Sequence, residues 1–335
     1  RIGGDIALIA GIAKAVVDMG GVADHFTSNY CNGFLNYQSF INALTWPELE
    51  EASGVDSATI SQVARMYTTA KKAVFAWGMG ITHHQHGTEN VEAISNLALL
   101  RGMVGGPGKG LLPLRGHSNV QGVGSMGFTP ALKEKVFAAI ESEIGIRLPT
   151  HQGMDTLACL QAAERGEMSQ AFLLGGNLYA ATPDAKFAER ALANIPFKIM
   201  LTSSLNATHV HGLEQENISL PVRVRDEETQ STTQESMFNF IRLSDGGFNR
   251  FKDLHSESDI ILAIAEQVID QQYLDFGEFH NHASVRQTIA KIIPGFERMA
   301  QLDNNRQEFH IDGRHLDTPD FPTLDGKANF LSTPN

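Results

Sequence analysis

The sequence predicts an α/β fold in which parallel sheets are flanked by helices, as in Rossmann-like domains. Three observations predict it. Short apolar runs at 73–77, 170–174 and 197–201 each end in glycine or small polar residues. Segments of helical periodicity alternate with those runs. Strand, turn and helix in regular succession imply parallel sheets with helices on both faces, whose ligand crevice lies at the carboxyl ends of the strands. At 335 residues the chain has room for two or three domains.

Taken in order, Ile6, Ile9, Ala10, Ala13, Val16 and Val17 recur at helical spacing, and Gly20-Gly21 stops that helix. Thr45 is an N-cap candidate for a helix with acidic residues in its first turn and Gly54 at its end. Asp56 caps the next helix, which carries Ile60, Val63, Ala64, Met66 and Tyr67. The run 73–77 reads as a buried parallel strand feeding Gly78-Met79-Gly80, and 88–100 returns to helix. Stretch 101–127 is too dense in glycine for an ordinary helix or strand, so its backbone is expected to lie against something. Then come a helix at 156–164, a strand at 170–174 with Gly175-Gly176-Asn177, a helix at 184–194, and a strand at 197–201 closed by Thr202-Ser203-Ser204. Residues 213–250 are polar and read as a long functional loop or insertion with one short strand at 218–221. Helices are expected at 259–270 and 284–293. Asp325-Gly326 near the end is a hairpin signal. The predicted division is a first α/β segment over 1–117 and a second over 118–335, the latter holding the insertion.

Composition narrows the function classes. A net charge of −12 argues against a nucleic-acid binder, which needs a basic face. No apolar stretch approaches the roughly 18 to 20 residues that span a bilayer. Cys31 and Cys159 are the only cysteines, which excludes a disulfide scaffold and a four-cysteine zinc or iron–sulfur site within these residues. Both read as buried small hydrophobes, and reduced thiols suit a cytoplasmic protein. The start at Arg1, inside an amphipathic pattern, suggests an internal piece of something longer.

The sharpest chemistry lies in Pro113-Leu114-Arg115-Gly116-His117-Ser118-Asn119-Val120-Gln121-Gly122. It offers one fixed cation with five donors, amides able to pair with a heterocycle's edge, and a backbone thin enough for close approach. A small anionic substrate beside a large polar cofactor would suit it. On composition alone, a glycine-rich loop whose arginine pairs with a carboxylate suits it equally. The cluster His83-His84-Gln85-His86 invites a metal reading, but adjacent histidines diverge and no zinc-type spacing accompanies them, so no metal ligand is assigned. His209, His211, Arg223 and Arg225 with the acidic 226–228 read as a solvated charged stretch.

Trp77-Gly78-Met79-Gly80-Ile81-Thr82, then 115–122, then Gly175-Gly176-Asn177 resemble, in order and spacing, the molybdopterin-dependent oxidoreductases, closest to formate dehydrogenase alpha subunits and the YdeP-like group. Segments 232–239 and 243–247 look like that YdeP-like branch. The resemblance runs over essentially the whole chain. It implies a molybdenum or tungsten centre held by two molybdopterin guanine dinucleotides, in an enzyme of about twice this length. The family's iron–sulfur (4Fe-4S) cysteines and metal-ligating residue would precede Arg1, a barrel domain would follow, and the fragment alone would be inactive. By matching position, Arg115 corresponds to the arginine that holds the substrate carboxylate. His117 stands where formate dehydrogenases of this type carry Gln; it would hydrogen-bond the cofactor or relay a proton. Met79 and His83, the latter replacing a family glutamine, would line the pterin with Gly78 and Gly80, while Gly116, Asn119, Gln121 and Gly122 belong to the central cofactor motif. Gly175, Gly176 and Asn177, with Thr202 and Ser203, match positions that meet the guanine nucleotides.

The resemblance therefore implies an oxidoreductase acting on formate or a similar small oxyanion and passing electrons to an electron-transfer partner, with no nucleic acid and no membrane span. A noncatalytic member with a stress-response or assembly role is the alternative. A nicotinamide-dependent dehydrogenase is disfavoured, because no Gly-x-Gly-x-x-Gly follows a strand with an acidic residue about twenty positions on. The 78–83, 175–177 and 202–204 segments are expected to gather at one crevice.

Overall fold

The computed structural model describes all residues except 130–132, 271, 273, 315 and 333–335. Its strands are β1 (Cys31–Asn32), β2 (Val74–Trp77), β3 (Gly110–Pro113), β4 (Gln170–Leu174), β5 (Phe197–Thr202), β6 (Glu216–Pro221), β7 (Thr232–Glu235), β8 (Phe240–Ser244), β9 (Phe309–His310) and β10 (Ala328–Asn329). The chain forms two compact units, Arg1–His117 with Asp312–Asn335, and Ser118–Ile311. Each contains parallel strand pairs flanked by helices.

The first unit is organised around one apolar core that includes Ala13, Val16, Ile41, Leu97, Leu100 and Phe330. The Asp5–Asp18 helix buries Ala10, Ala13 and Val16, three or four residues apart, against it. Thr45 starts the Trp46–Ser53 helix with a capping box: its backbone N–H donates to the Glu48 carboxylate at 3.0 Å, while its hydroxyl accepts from the Glu48 N–H. Gly54, at φ +73°, ends that helix. Asp56 accepts from the Thr59 N–H at 2.8 Å to start the Ser57–Thr69 helix. Strands β2 and β3 pair in parallel from Val74↔Gly110 to Trp77↔Pro113, and the Gly87–Leu100 helix links them.

Three sequence expectations change here. Residues 312–335, expected in the second segment, belong to the first unit: β10 pairs in parallel with β1, and the Phe330 ring stacks on Tyr37 at 5.1 Å. Burial of Ala328 and Phe330 decides the matter, because the first core takes both. Asp325-Gly326 consequently forms no hairpin. Gly326 turns the chain at φ +71°, and the Asp325 carboxylate accepts from the Asn32 side-chain amide at 2.8 Å. In the glycine-dense stretch, β3 and a short helix, Val120–Ser125, do form; Gly122 leaves the space that the Asn119 side chain fills.

In the second unit, β4, β5 and β6 make a parallel sheet in that order. Leu160 and Ala163 of the Thr156–Glu164 helix and Ala191 and Leu192 of the Ala185–Ala193 helix build a core with Ala171 and Leu173 of β4. Phe172 and Ile218, which flank Ile199 in register, stay exposed, so the expected cover on both faces is incomplete in this chain. The polar 213–250 segment is no loop. Its first part is β6, and β7, β8 and β9 form an antiparallel sheet associated with a second apolar cluster containing Ile241, Ile292, Phe296 and Phe309. Its polar side chains satisfy one another: Arg225 donates to Gln234 at 2.6 Å and to Ser244 at 2.9 Å, and buried Glu227 accepts from Arg250 at 2.7 Å. Polarity there signals a hydrogen-bonded sheet.

Candidate functional site

Parallel pairing places two loops at one sheet end in the first unit. The Leu114 N–H donates to the Trp77 carbonyl at 2.7 Å, carrying the β2–β3 pairing one residue further. Gly78, Met79, Gly80 and His83 follow β2, and Arg115, Gly116 and His117 follow β3, so all seven stand at neighbouring strand ends. Gly78 enters the single-turn Met79–Thr82 helix, which His83 closes by donating its N–H to the Met79 carbonyl at 2.7 Å. Met79 is 58% exposed, and Arg115, Gly116 and His117 are exposed as well. No carboxylate lies within ion-pair distance of Arg115 among the described residues. The loop-arginine pairing left open by composition is thus not found among the described residues.

Glycines in this unit divide into two kinds. A Cβ at Gly87 would strike the Thr82 carbonyl, and one at Gly105 the backbone at Pro319, so those two serve packing. A Cβ at Gly78, Gly80 or Gly116 would meet nothing within 4 Å. These three leave open space in the loops after β2 and β3, which is what close approach by a flat or phosphate-bearing group requires. The neighbouring histidines diverge, His84 toward Asp5 at 3.8 Å and His86 toward Glu89 at 3.7 Å.

The second unit repeats the arrangement at the ends of β4 and β5. Gly175 donates its N–H to the Leu201 carbonyl at 2.7 Å, which brings Gly175, Gly176 and Asn177 beside Thr202 and Ser203. Gly175 and Gly176 sit at φ +64° and +76°, a left-handed pair that side chains disfavour, and a Cβ on either would meet nothing within 4 Å. Buried Thr202 spends its hydroxyl on the Ser204 carbonyl at 2.6 Å, whereas Ser203 is exposed. Asn119, Gln121 and Gly122 also belong to this unit but engage its own chain. The Asn119 side-chain Oδ1 accepts from the Glu235 N–H at 3.0 Å, and Gln121 donates to Asn239 at 3.3 Å. The 113–122 motif is therefore divided between the units after His117.

Sequence reasoning missed Asn206 and Thr208, which hold the Gly175–Gly176–Asn177 turn from the loop after β5. Their signal was an Asn-x-Thr preceding a short turn, a side-chain cap pattern. Lys198 was missed too. It is fully buried on β5 and donates to the Leu192 and Ile195 carbonyls at 2.8 and 3.0 Å, satisfying the end of the Ala185–Ala193 helix. Burial lowers its pKa, and Glu214 partly opposes that shift. Burial likewise pushes the Cys31 thiol up to about 11 against the opposing field of Lys327, so this cysteine is inert at neutral pH.

Chemically, each unit presents open glycine backbone at parallel-strand ends, and the first adds a guanidinium with no ion-pair partner among the described residues. That combination suits an extended ligand carrying phosphates and a heterocycle, with a small anion beside it. A family profile described as molybdopterin oxidoreductase matches residues 1–212. An uncharacterized oxidoreductase of Mycobacterium tuberculosis is 32% identical over 357 aligned positions, covering 100% of this chain and 45% of that protein. Protein YdeP of Escherichia coli is 29% identical over 355, covering 99% of this chain and 46% of YdeP. YrhE of Bacillus subtilis, a candidate formate dehydrogenase, is 29% identical over 214, covering 62% of this chain and 22% of its own length. Among solved structures, acetylene hydratase from Pelobacter acetylenicus shares the fold at a TM-score of 0.66 and 15% identity, covering 99% of this chain and 48% of that one. The chain spans a little under half the length of the M. tuberculosis and E. coli relatives.

Proposed function

Because this chain belongs to the molybdopterin oxidoreductase family, we propose that it is the central part of a cytoplasmic molybdenum- or tungsten-dependent enzyme resembling formate dehydrogenase. Its substrate is formate or a similarly small oxyanion. The cofactor is bis-molybdopterin guanine dinucleotide, and a 4Fe-4S cluster carried outside these residues takes the electrons. When bound, that cofactor supplies the two-electron redox chemistry. The observation that carries the reading is Arg115, exposed and without a carboxylate partner among the described residues, between open glycines at the end of a parallel strand pair.

This chain's residues bind and orient. Arg115 stays protonated at any working pH and grips a carboxylate through two parallel N–H donors, which fixes the substrate's plane. His117, two residues on, hydrogen-bonds the cofactor or relays a proton. Met79 and His83 line the pterin, with Gly78, Gly80 and Gly116 leaving it room. Gly175, Gly176, Asn177, Thr202 and Ser203 meet the guanine nucleotide portion, while Asn119, Gln121 and Gly122 frame the central motif from the second unit.

Metal analysis and nucleotide release on the full-length protein, together with formate-dependent dye reduction, test the proposal. Molybdenum or tungsten accompanied by guanine nucleotide and by turnover is the expected result. Loaded protein that ignores formate would remove the substrate assignment and keep the enzyme class. Protein purified without metal or pterin would leave the noncatalytic role.

A further inference from the structure

The Gly175–Gly176–Asn177 turn faces a physical problem that its own sequence does not solve. Two successive glycines have no side chains with which to anchor themselves, and they lose more backbone freedom on ordering than any other residues. Both nevertheless adopt left-handed geometry with open space where a Cβ would project. Something outside the turn must fix it.

The short Ala207–His209 turn after β5 supplies that anchor. The Asn206 side-chain amide donates to the Gly176 carbonyl at 2.6 Å. The buried Thr208 hydroxyl donates to the Asn177 side-chain oxygen at 2.9 Å and accepts from the Tyr179 N–H at 3.0 Å. These groups are braced in turn. The Asn206 side-chain oxygen accepts from the Thr208 N–H at 3.0 Å, and the Asn206 N–H donates to His209 Nδ1 at 3.1 Å. Just beyond, His211 stacks on Tyr179 at 4.1 Å between ring centroids, with an interplanar angle of 7°, and pairs with Glu189 at 2.9 Å.

We infer that Asn206 and Thr208 are positioning residues that hold the Gly175–Asn177 turn in its ligand-accepting shape, through three hydrogen bonds to residues 176, 177 and 179. The inference rests on the reading of that turn as a guanine nucleotide contact. It adds residues that touch no cofactor yet govern its retention. Preorganising a loop lowers the ordering cost that binding must otherwise meet.

The test uses full-length protein with Thr208→Val, Thr208→Ser and Asn206→Ala, reading backbone amide exchange over 175–181, guanine nucleotide retained per metal, and melting temperature. Thr208→Val removes the hydroxyl and both of its hydrogen bonds at nearly constant volume, so exchange over the turn should rise roughly ten- to hundredfold, the equivalent of two typical hydrogen bonds. Nucleotide retention should fall with it while melting temperature holds, and Thr208→Ser should restore both. Asn206→Ala should act in the same direction. Unchanged exchange in both Thr208→Val and Asn206→Ala overturns the inference, as does a loosened turn with undiminished retention, or a loss that Ser fails to rescue. Unmodified protein that releases no guanine nucleotide overturns the cofactor reading as well. The two failures are thereby told apart.

Discussion

Unit one coheres through a single apolar cluster in which Ala13, Val16, Ile41 and Leu100 are fully or almost fully buried and Phe330 closes over Tyr37. Unit two has two smaller apolar clusters, together with buried charged groups: Lys198 on helix-end carbonyls, Glu227 on Arg250, and Arg286 on Asp303. The same contrast marks their strand-end loops. Arg115 and His117 stand exposed after β3, whereas Gly175–Asn177 is held by Asn206 and Thr208. Apolar packing tolerates approximate shape, but a buried charge needs its particular partner. Removing one partner of a buried charge should therefore hurt the second unit as much as core truncations hurt the first.

Paired truncations give the largest effect. Ile41→Ala should cost about 2–5 kcal/mol, and Arg286→Ala, which strands Asp303 and the Ser231 carbonyl, about 3 kcal/mol. Urea denaturation of both variants would break the comparison if Arg286→Ala were neutral. Next comes Arg115. Arg115→Ala in the full-length enzyme should lower kcat/KM for formate by one to two decades, about 1.5–3 kcal/mol, with melting temperature and metal content unchanged; Arg115→Lys should recover only part. Unchanged turnover would remove Arg115 from the substrate site, and a fall in melting temperature would make it structural.

The smallest effect concerns His280, whose ring faces Asp259 at 3.1 Å and Glu266 at 3.3 Å. The hydrogen bond to Asp259, then the field of Glu266, raises the pKa of His280. Burial alone would raise that of Asp259, but hydrogen bonds from His280 and Ser256 outweigh it and hold the carboxyl low. The histidine's contribution is full below its unfolded value of about 6.5 and fades as pH rises through the elevated folded one. Asp259's contribution is present above about 3.9 and fades as pH falls through its lowered value. Unfolding free energy should thus exceed that of His280→Gln most clearly between about pH 4 and 6.5, by the few tenths of a kcal/mol typical of exposed pairs, read as a small difference in melting temperature. A difference independent of pH would assign the effect to packing.

The sequence showed most where an element's own residues decide it. Thr45 with Glu48, Asp56, and the spacing of Ala13 and Val16 mark helices whose signals are local, and they form as read. Runs at 73–77, 170–174 and 197–201 likewise become β2, β4 and β5. What escaped depends on distant partners. The residues of β7 and β8 look like solvated loop until Arg225 meets Gln234 and Ser244. Gly122 stands out by its motif, but the need for glycine there shows only once Asn119 is seen occupying the space of a Cβ. Asp325-Gly326 promised a hairpin, but Ala328 and Phe330 pair and pack with residues some three hundred positions earlier. Within the candidate site, the glycine turns and Arg115 could be picked out by residue type, while Asn206 and Thr208 emerge only from the geometry.

The return of β10 to β1 also orders events during translation. Domains ordinarily fold from the N-terminus as they leave the ribosome, at about 5–20 residues per second. Here the first-made unit lacks Ala328 and Phe330 until almost the last residues of this span emerge, whereas Ser118–Ile311 is already whole. The nascent chain therefore carries the Tyr37 surface without its Phe330 cover through the synthesis of the entire inserted unit. The later unit can complete its fold first, and the earlier one is sealed by its final strand.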